Sequence, residues 1–134
     1  MSGYGKNAYK QTSITTASRG QILIMLYEAA IQNIRKACVC IDNKDIAGKG
    51  KHIIKAHDIL NELVTTLDHN IGGEISKELE RLYNFCIEQL IKANMNTDKV
   101  PLQGAEKVLT TLLSGWREAV QKFQNEQNAG SKTG

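Results

Sequence analysis

Two short constellations in the chain bring chemically capable side chains close together, and both read as inert. Cys38 and Cys40 flank a single residue. On a helix, positions i and i+2 point about 200° apart, so this pair cannot close on one zinc ion without unwinding the helix. Cys86 stands alone on an apolar stripe, and an odd number of thiols cannot form a closed disulfide framework. Reduced, inert thiols are the reading. Gly48-Lys49-Gly50-Lys51 suggests a phosphate loop. Such a loop follows a buried strand, carries a longer glycine stretch and ends in Ser or Thr for magnesium. None of these is present. Nor do a carboxylate, a histidine and a hydroxyl fall into a hydrolase signature, so no catalytic residue, metal or cofactor is expected.

A third stretch, His52-Ile53-Ile54-Lys55-Ala56, resembles the phosphate-accepting segment of histidine phosphotransfer domains. Those domains are also helical bundles: a His takes the phosphate, a Lys three residues later steadies it, and a small residue follows. That small residue is usually Gly and here is Ala56. At i and i+3 the His and the Lys share a helix face. The plainer reading is a surface His beside a Lys. His57 reads as half-buried packing, and His69 as a cation suited to a helix carboxyl end. Lys44, Lys49, Lys51 and Lys55 against Asp45 give residues 44–55 a local charge of 4 − 1 = +3. Without Arg, interleaved aromatics or helix-turn-helix spacing, this is a solvated face and not a nucleic-acid surface.

All of these residues lie on segments that read as helices. A length of 134 residues suits one domain. A single Pro with one Trp, four Tyr and two Phe argues against a β-sandwich. With 23% charged and 41% hydrophobic residues, the chain is not wholly disordered. A net charge of +3 demands no nucleic-acid partner. The longest apolar run, Ile22 to Tyr27, spans six residues and cannot cross a membrane. The first residues lack the apolar core of a secretory signal, so a cytoplasmic protein is expected.

Residues 1–17 read as a polar N-terminal arm, with Tyr4, Tyr9 and Ile14 to dock it back over Ile22 and Met25. Thr15, Thr16 and Ser18 offer capping hydroxyls for a helix over about 18–41. Its stripe is Leu23, Leu26, Ala30, Ile34, Ala37 and Ile41. A second helix, about 44–68, carries Ile46, Ile53, Leu60, Val64 and Leu67, with Gly48 and Gly50 loosening its first turns and Asn70, Gly72 and Gly73 ending it. A third, about 74–95, carries Ile75, Leu79, Leu82, Cys86, Leu90 and Ala93. Pro101 opens a fourth, about 100–125, with Leu102, Ala105, Leu109, Leu112, Trp116, Ala119 and Phe123. Residues 126–134 read as a disordered tail. The sum is an all-α, antiparallel up-down four-helix bundle over 18–125, preceded by an arm.

One anomaly points to a partner. Ile22, Met25 and Ala29 lie off the first stripe, Met25 by about 150°, so the first turns of that helix are apolar nearly all round. Ile54 and Phe85 each fall about 120° from their own stripes. Something must cover them: the arm, another copy, or a foreign helix with its own apolar face.

The same residues carry a resemblance. Tyr9, Thr16-Ala17-Ser18, Leu23-Ile24-Met25-Leu26-Tyr27 and Ala30-Ile31 are similar to the N-terminal signature of the flagellar secretion chaperone FliS family. Leu67-Asp68, Gly72-Gly73-Glu74-Ile75, Leu79, Leu82-Tyr83, Leu90, Ala93-Asn94, Val108-Leu109 and Trp116 follow in order, so that the resemblance covers about residues 9–120. Arg19 stands where the family usually has Pro, and Ala29 where it usually has Gly. The first departure should loosen the helix start, and the second adds a methyl where a close approach is used. The resemblance implies a cytosolic, non-enzymatic chaperone. It would hold the C-terminal segment of flagellin, prevent premature polymerisation and engage the flagellar export gate. Tyr9, Ile14, Ile22, Met25, Ala29, Ile54 and Phe85 are the expected partner-binding residues, and a phosphotransfer bundle built on His52 and Lys55 is the alternative.

Overall fold

Helix boundaries fall where side chains satisfy the backbone groups that a helix end leaves bare. The Asp45 carboxylate accepts the Gly48 N–H at 2.9 Å, and Asp68 accepts those of Asn70 at 3.0 Å and Ile71 at 3.1 Å. Thr97 closes another helix in the left-handed conformation, with φ 49°. The computed structural model describes the backbone of residues 4–133 and the side chains of residues 19–130. Five helices result among the described residues: α1 (Tyr4–Asp42), α2 (Ile46–Thr65), α3 (His69–Gly72), α4 (Glu74–Asn96) and α5 (Lys99–Thr133).

Each long helix packs on two neighbours in the cyclic order α1, α2, α4, α5, with the single turn of α3 set into the α2–α4 connection. This is the expected antiparallel four-helix bundle. Its interior takes Tyr27, Ile31 and Ile34 from α1, and Ile53, Leu60 and Leu63 from α2. From α4 come Tyr83, Cys86 and Leu90, and from α5 Leu102, Leu109 and Leu113. Small residues lie between them: Ala30, Ala37, Ala56, Ala93 and Ala105 are fully buried, letting the helices approach closely. Across the diagonal, the Tyr27 and Tyr83 hydroxyls meet at 2.5 Å, their rings edge to face at 6.1 Å.

Several expected positions shift. Ile46 and Ile75 are 57% and 70% exposed, because each sits in the opening turn of its helix, beyond the reach of its neighbours. Tyr27, Ile31, Ala56, Leu63, Tyr83 and Leu113 join the core, and Leu113 is more deeply set than Leu112. Gly48 is held, not loose: a Cβ there would collide with the Asp45 carboxylate and lie 2.7 Å from the Cys40 sulfur. Lys49 is buried, its Nζ donating to the Asn94 carbonyl at 2.9 Å and to Thr97 Oγ1 at 3.1 Å.

Both termini are more helical than expected. The α1 backbone runs unbroken from Tyr4, so residues 4–17 continue that helix instead of turning back over Ile22 and Met25. The side chains of Tyr9 and Ile14 lie outside the described residues. Residues 126–133 prolong α5, consistent with the high helix propensity of Gln, Glu and Lys. At 39 and 35 residues, α1 and α5 outrun α2 and α4, at 20 and 23, on the side of the bundle that holds α3. There they approach closely: a Cβ on Gly20 would sit 2.8 Å from Val120 Cγ2.

Candidate functional site

The polar constellations do not converge on a reactive centre. The His52 ring is half-buried, its Nδ1 3.0 Å from Asn33 Oδ1, while Lys55 is exposed. Burial first, then the charges of Lys36, Lys55 and Lys51, holds the imidazole below its usual pKa, so it is neutral at pH 7. Burial pushes the Cys38 thiol up and takes Cys86 to about 12, which suppresses the thiolate at both. The Cys86 sulfur faces the Ala105 carbonyl at 3.8 Å. Among the described residues, no group of three or more His, Cys, Asp and Glu side chains could hold a metal ion. No described helix is long and apolar enough to cross a membrane.

The apolar anomaly does converge. Three grooves surround the α1 turns between Arg19 and Met25, at the α3 end of the bundle. One, of about 310 Å³, lies between α1, α3, α4 and α5, with Leu23, Leu67, Ile71, Leu79, Tyr83 and Trp116 in its lining. A second, of about 380 Å³, is formed by Arg19, Ile22, Leu23, Leu26 and Thr66 on the α2 side. The third, of about 450 Å³, holds Ile24, Met25 and Val120 among the polar side chains of Gln21, Arg117, Gln121 and Gln124 on the α5 side. Leu23 belongs to the first two, so the grooves share their walls. Ile22 is 55% exposed, Met25 66% and Ile71 87%.

Helical geometry explains the cluster. The continuing helix gives each of these α1 residues a fixed direction, and α2 and α4 stop short here, leaving two flanks without a wall. Asp68 sets the rim: it caps α3, and its carbonyl accepts the Ser76 hydroxyl at 3.0 Å and the Gly72 N–H at 2.8 Å. At the floor, burial chiefly holds Tyr27 well above the usual tyrosine range and raises Tyr83 as well, so both phenols stay protonated. Beside them the Trp116 indole N–H is shielded from solvent and faces the Tyr27 hydroxyl, whose pKa it pulls down against the effect of burial.

Of the expected partner-binding residues, the structure brings Ile22 and Met25 together on this surface. Ala29 lies one turn further along α1, half-buried, its carbonyl accepting the Asn33 side-chain amide at 2.9 Å. Ile54 and Phe85 are exposed, but they stand midway along α2 and α4 and line none of the three grooves. Tyr9 and Ile14 lie outside the described side chains. Arg19 does not interrupt α1 and forms one wall of the second groove. Sequence reasoning missed Leu67, Ile71, Ile75 and Val120. The available signal was two isoleucines flanking a Gly-Gly pair, an apolar excess for a turn.

The flagellar protein FliS family profile matches residues 2–123. A flagellar secretion chaperone FliS of Bacillus subtilis is 33% identical over 121 residues, 90% of this chain and 90% of its own length. The protein of that name in Salmonella typhimurium is 31% identical over 129 residues, 92% of this chain and 96% of its own length. That in Vibrio cholerae is 30% identical over 122 residues, 88% and 90% of the two chains. The similarity runs through every helix of the bundle and through all the groove residues except Gln124, and the chain belongs to the FliS family of flagellar proteins.

Proposed function

We propose that the chain is a cytoplasmic, non-enzymatic export chaperone. It binds the C-terminal segment of flagellin, keeps it from polymerising and delivers it to the flagellar export gate. The convergence of three grooves, two of them mainly apolar, on residues 19–26, in a chain of this family, carries the reading. A segment that is disordered when free and amphipathic when folded would lay apolar anchors into such grooves. Ordering that client costs about 2–5 kcal/mol, which favours a distributed contact over one deep pocket. Ile22 and Met25 form the centre of the proposed contact. Ala29, Ile54 and Phe85 extend it along the bundle, and Tyr9 and Ile14 contribute from the N-terminal extension.

Titration calorimetry with a synthetic C-terminal flagellin peptide tests this, paired with a filament-assembly assay. Binding at micromolar peptide and arrest of assembly at one chaperone per flagellin are expected. No heat of binding, or assembly that proceeds unchanged, would remove flagellin as the client.

A further inference from the structure

We infer that the cleft between α1 and α5 beside Arg117 is a carboxylate-binding subsite. It is continuous with the groove on the α5 side of Met25 and takes a carboxylate of the segment lying in that groove. The inference rests on the reading that the groove receives the flagellin segment.

The register of two helices builds the cleft. Glu28, Gln32 and Arg35 recur at spacings of four and three on α1, and Glu106, Thr110, Leu113 and Arg117 at four, three and four on α5. Each set therefore shares a helix face. Because the helices run antiparallel, the two faces meet head to tail. At one end Arg35 Nε donates to Glu106 at 2.7 Å, and at the other the Arg117 guanidinium stands 3.6 Å from Glu28. Glu28 and Arg35 are about 10 Å apart along the helix axis. Between the two pairs lies a cleft of about 330 Å³, floored by the buried Ile31 and Leu113 and walled by Gln32 and Thr110.

Donors are in surplus there. A guanidinium carries five N–H groups. Among the described residues Arg117 spends none of them in a hydrogen bond, since 3.6 Å makes an ion pair with Glu28 but is too long for a bond. Arg35 has committed its Nε alone. A carboxylate, with two oxygens in one plane, matches a guanidinium edge bidentately. The apolar floor excludes water from one side of such a pair and strengthens it. The Arg117 side chain is 56% exposed, so an incoming oxygen reaches it without moving either helix.

Arg117 also lines the groove that holds Ile24, Met25 and Val120. A segment anchored there by apolar side chains has the guanidinium at the edge of its track. A cation in the cleft would face both arginines, and an apolar side chain would cover their donors without pairing them. The apolar anchors supply affinity, while the carboxylate fixes the register of the segment along α1 and α5.

Calorimetry on the full chain with the C-terminal flagellin peptide, in free-acid and amidated forms, tests this. Arg117→Gln should melt like the wild type, because an exposed ion pair holds little stability. It should bind the free-acid peptide about tenfold more weakly, a difference that shrinks in high salt. Glu28→Gln removes the competing carboxylate and should bind at least as tightly as the wild type. If amidation reproduces the loss and Arg117→Gln adds nothing to it, the terminal carboxylate is the ligand. If amidation is neutral and Arg117→Gln still costs tenfold, the ligand is a side-chain carboxylate. Wild-type affinity in Arg117→Gln would overturn the inference and leave flagellin as the client. An equal loss in Glu28→Gln would overturn it too, by making the Glu28–Arg117 pair a strut between helices. A wild type that binds neither peptide removes flagellin as the client, and the inference falls with that reading.

Discussion

The two ends of the bundle are built to opposite specifications. At the end formed by the α1–α2 and α4–α5 connections, polar groups are matched. Lys49 Nζ ties the start of α2 to the Asn94 carbonyl and to Thr97, and Lys99 pairs with Asp42 at 2.7 Å. Asp45 and Asp98 take backbone N–H groups at the openings of α2 and α5. At the α3 end, three grooves and exposed isoleucines occupy the corresponding positions. Val39, Ile46, Met95 and Val100 are exposed at the matched end, but they line none of these grooves. On the proposed function, the division separates folding from binding: one end closes the structure, and the other can leave apolar side chains exposed because the first holds the helices in place.

Substitutions that respect or violate this division should have distinct signatures. Leu113→Asp ignores it, placing a charge in the shared core, and should unfold the bundle with a loss above about 4 kcal/mol in denaturant titration. Met25→Glu touches only the α3 end. It should weaken the flagellin peptide complex by about 2–4 kcal/mol in calorimetry while melting like the wild type, because the side chain faces solvent in the free protein. Lys49→Leu touches only the matched end, leaving the Asn94 carbonyl and the Thr97 hydroxyl bare. It should lower stability by about 2 kcal/mol without changing peptide affinity. A loss of peptide binding in Lys49→Leu, or of stability in Met25→Glu, would show that the ends are coupled.

The smallest effect concerns pH. His52 has a folded-state pKa below its unfolded value, so the unfolded chain binds the proton more readily. Its contribution to stability is fully present above the unfolded value, near 6.5, and is lost as pH falls toward the lowered folded one. Melting temperature should therefore decline through that window in the wild type and decline less in His52→Asn. An unchanged slope would assign the pH dependence to other groups.

The helical periods were legible because burial here follows the 3.6-residue repeat with few interruptions. Ile34, Ile53, Leu60, Leu90 and Leu109 fall on the expected stripes and are buried. Tyr27 and Tyr83 escaped because a phenol reads as surface until its hydroxyl has a partner, and each partner lies 56 residues from the other. Lys49 escaped for a similar reason, since its acceptors are on α4. Ile22 and Met25 were legible as a surplus, and the structure places grooves around them. The opposite wall, with Ile71, Ile75 and Trp116, was not legible, because it exists only once α3 folds against α4 and α4 packs on α5.

That wall has a consequence for the order in which the protein comes into being. The groove joins Leu23 near one end of the chain to Trp116 near the other, with Leu79 between them. A nascent chain that has emerged only as far as α2 presents Ile22, Leu23 and Met25 with no facing wall. The Lys49 staple is equally absent, since Asn94 and Thr97 have yet to be made. Closing such separated contacts costs loop entropy that only the later helices repay. A protein proposed to shield another chain's unfinished segment thus passes through a stage in which its own apolar helix is unshielded, and its last helix ends that stage.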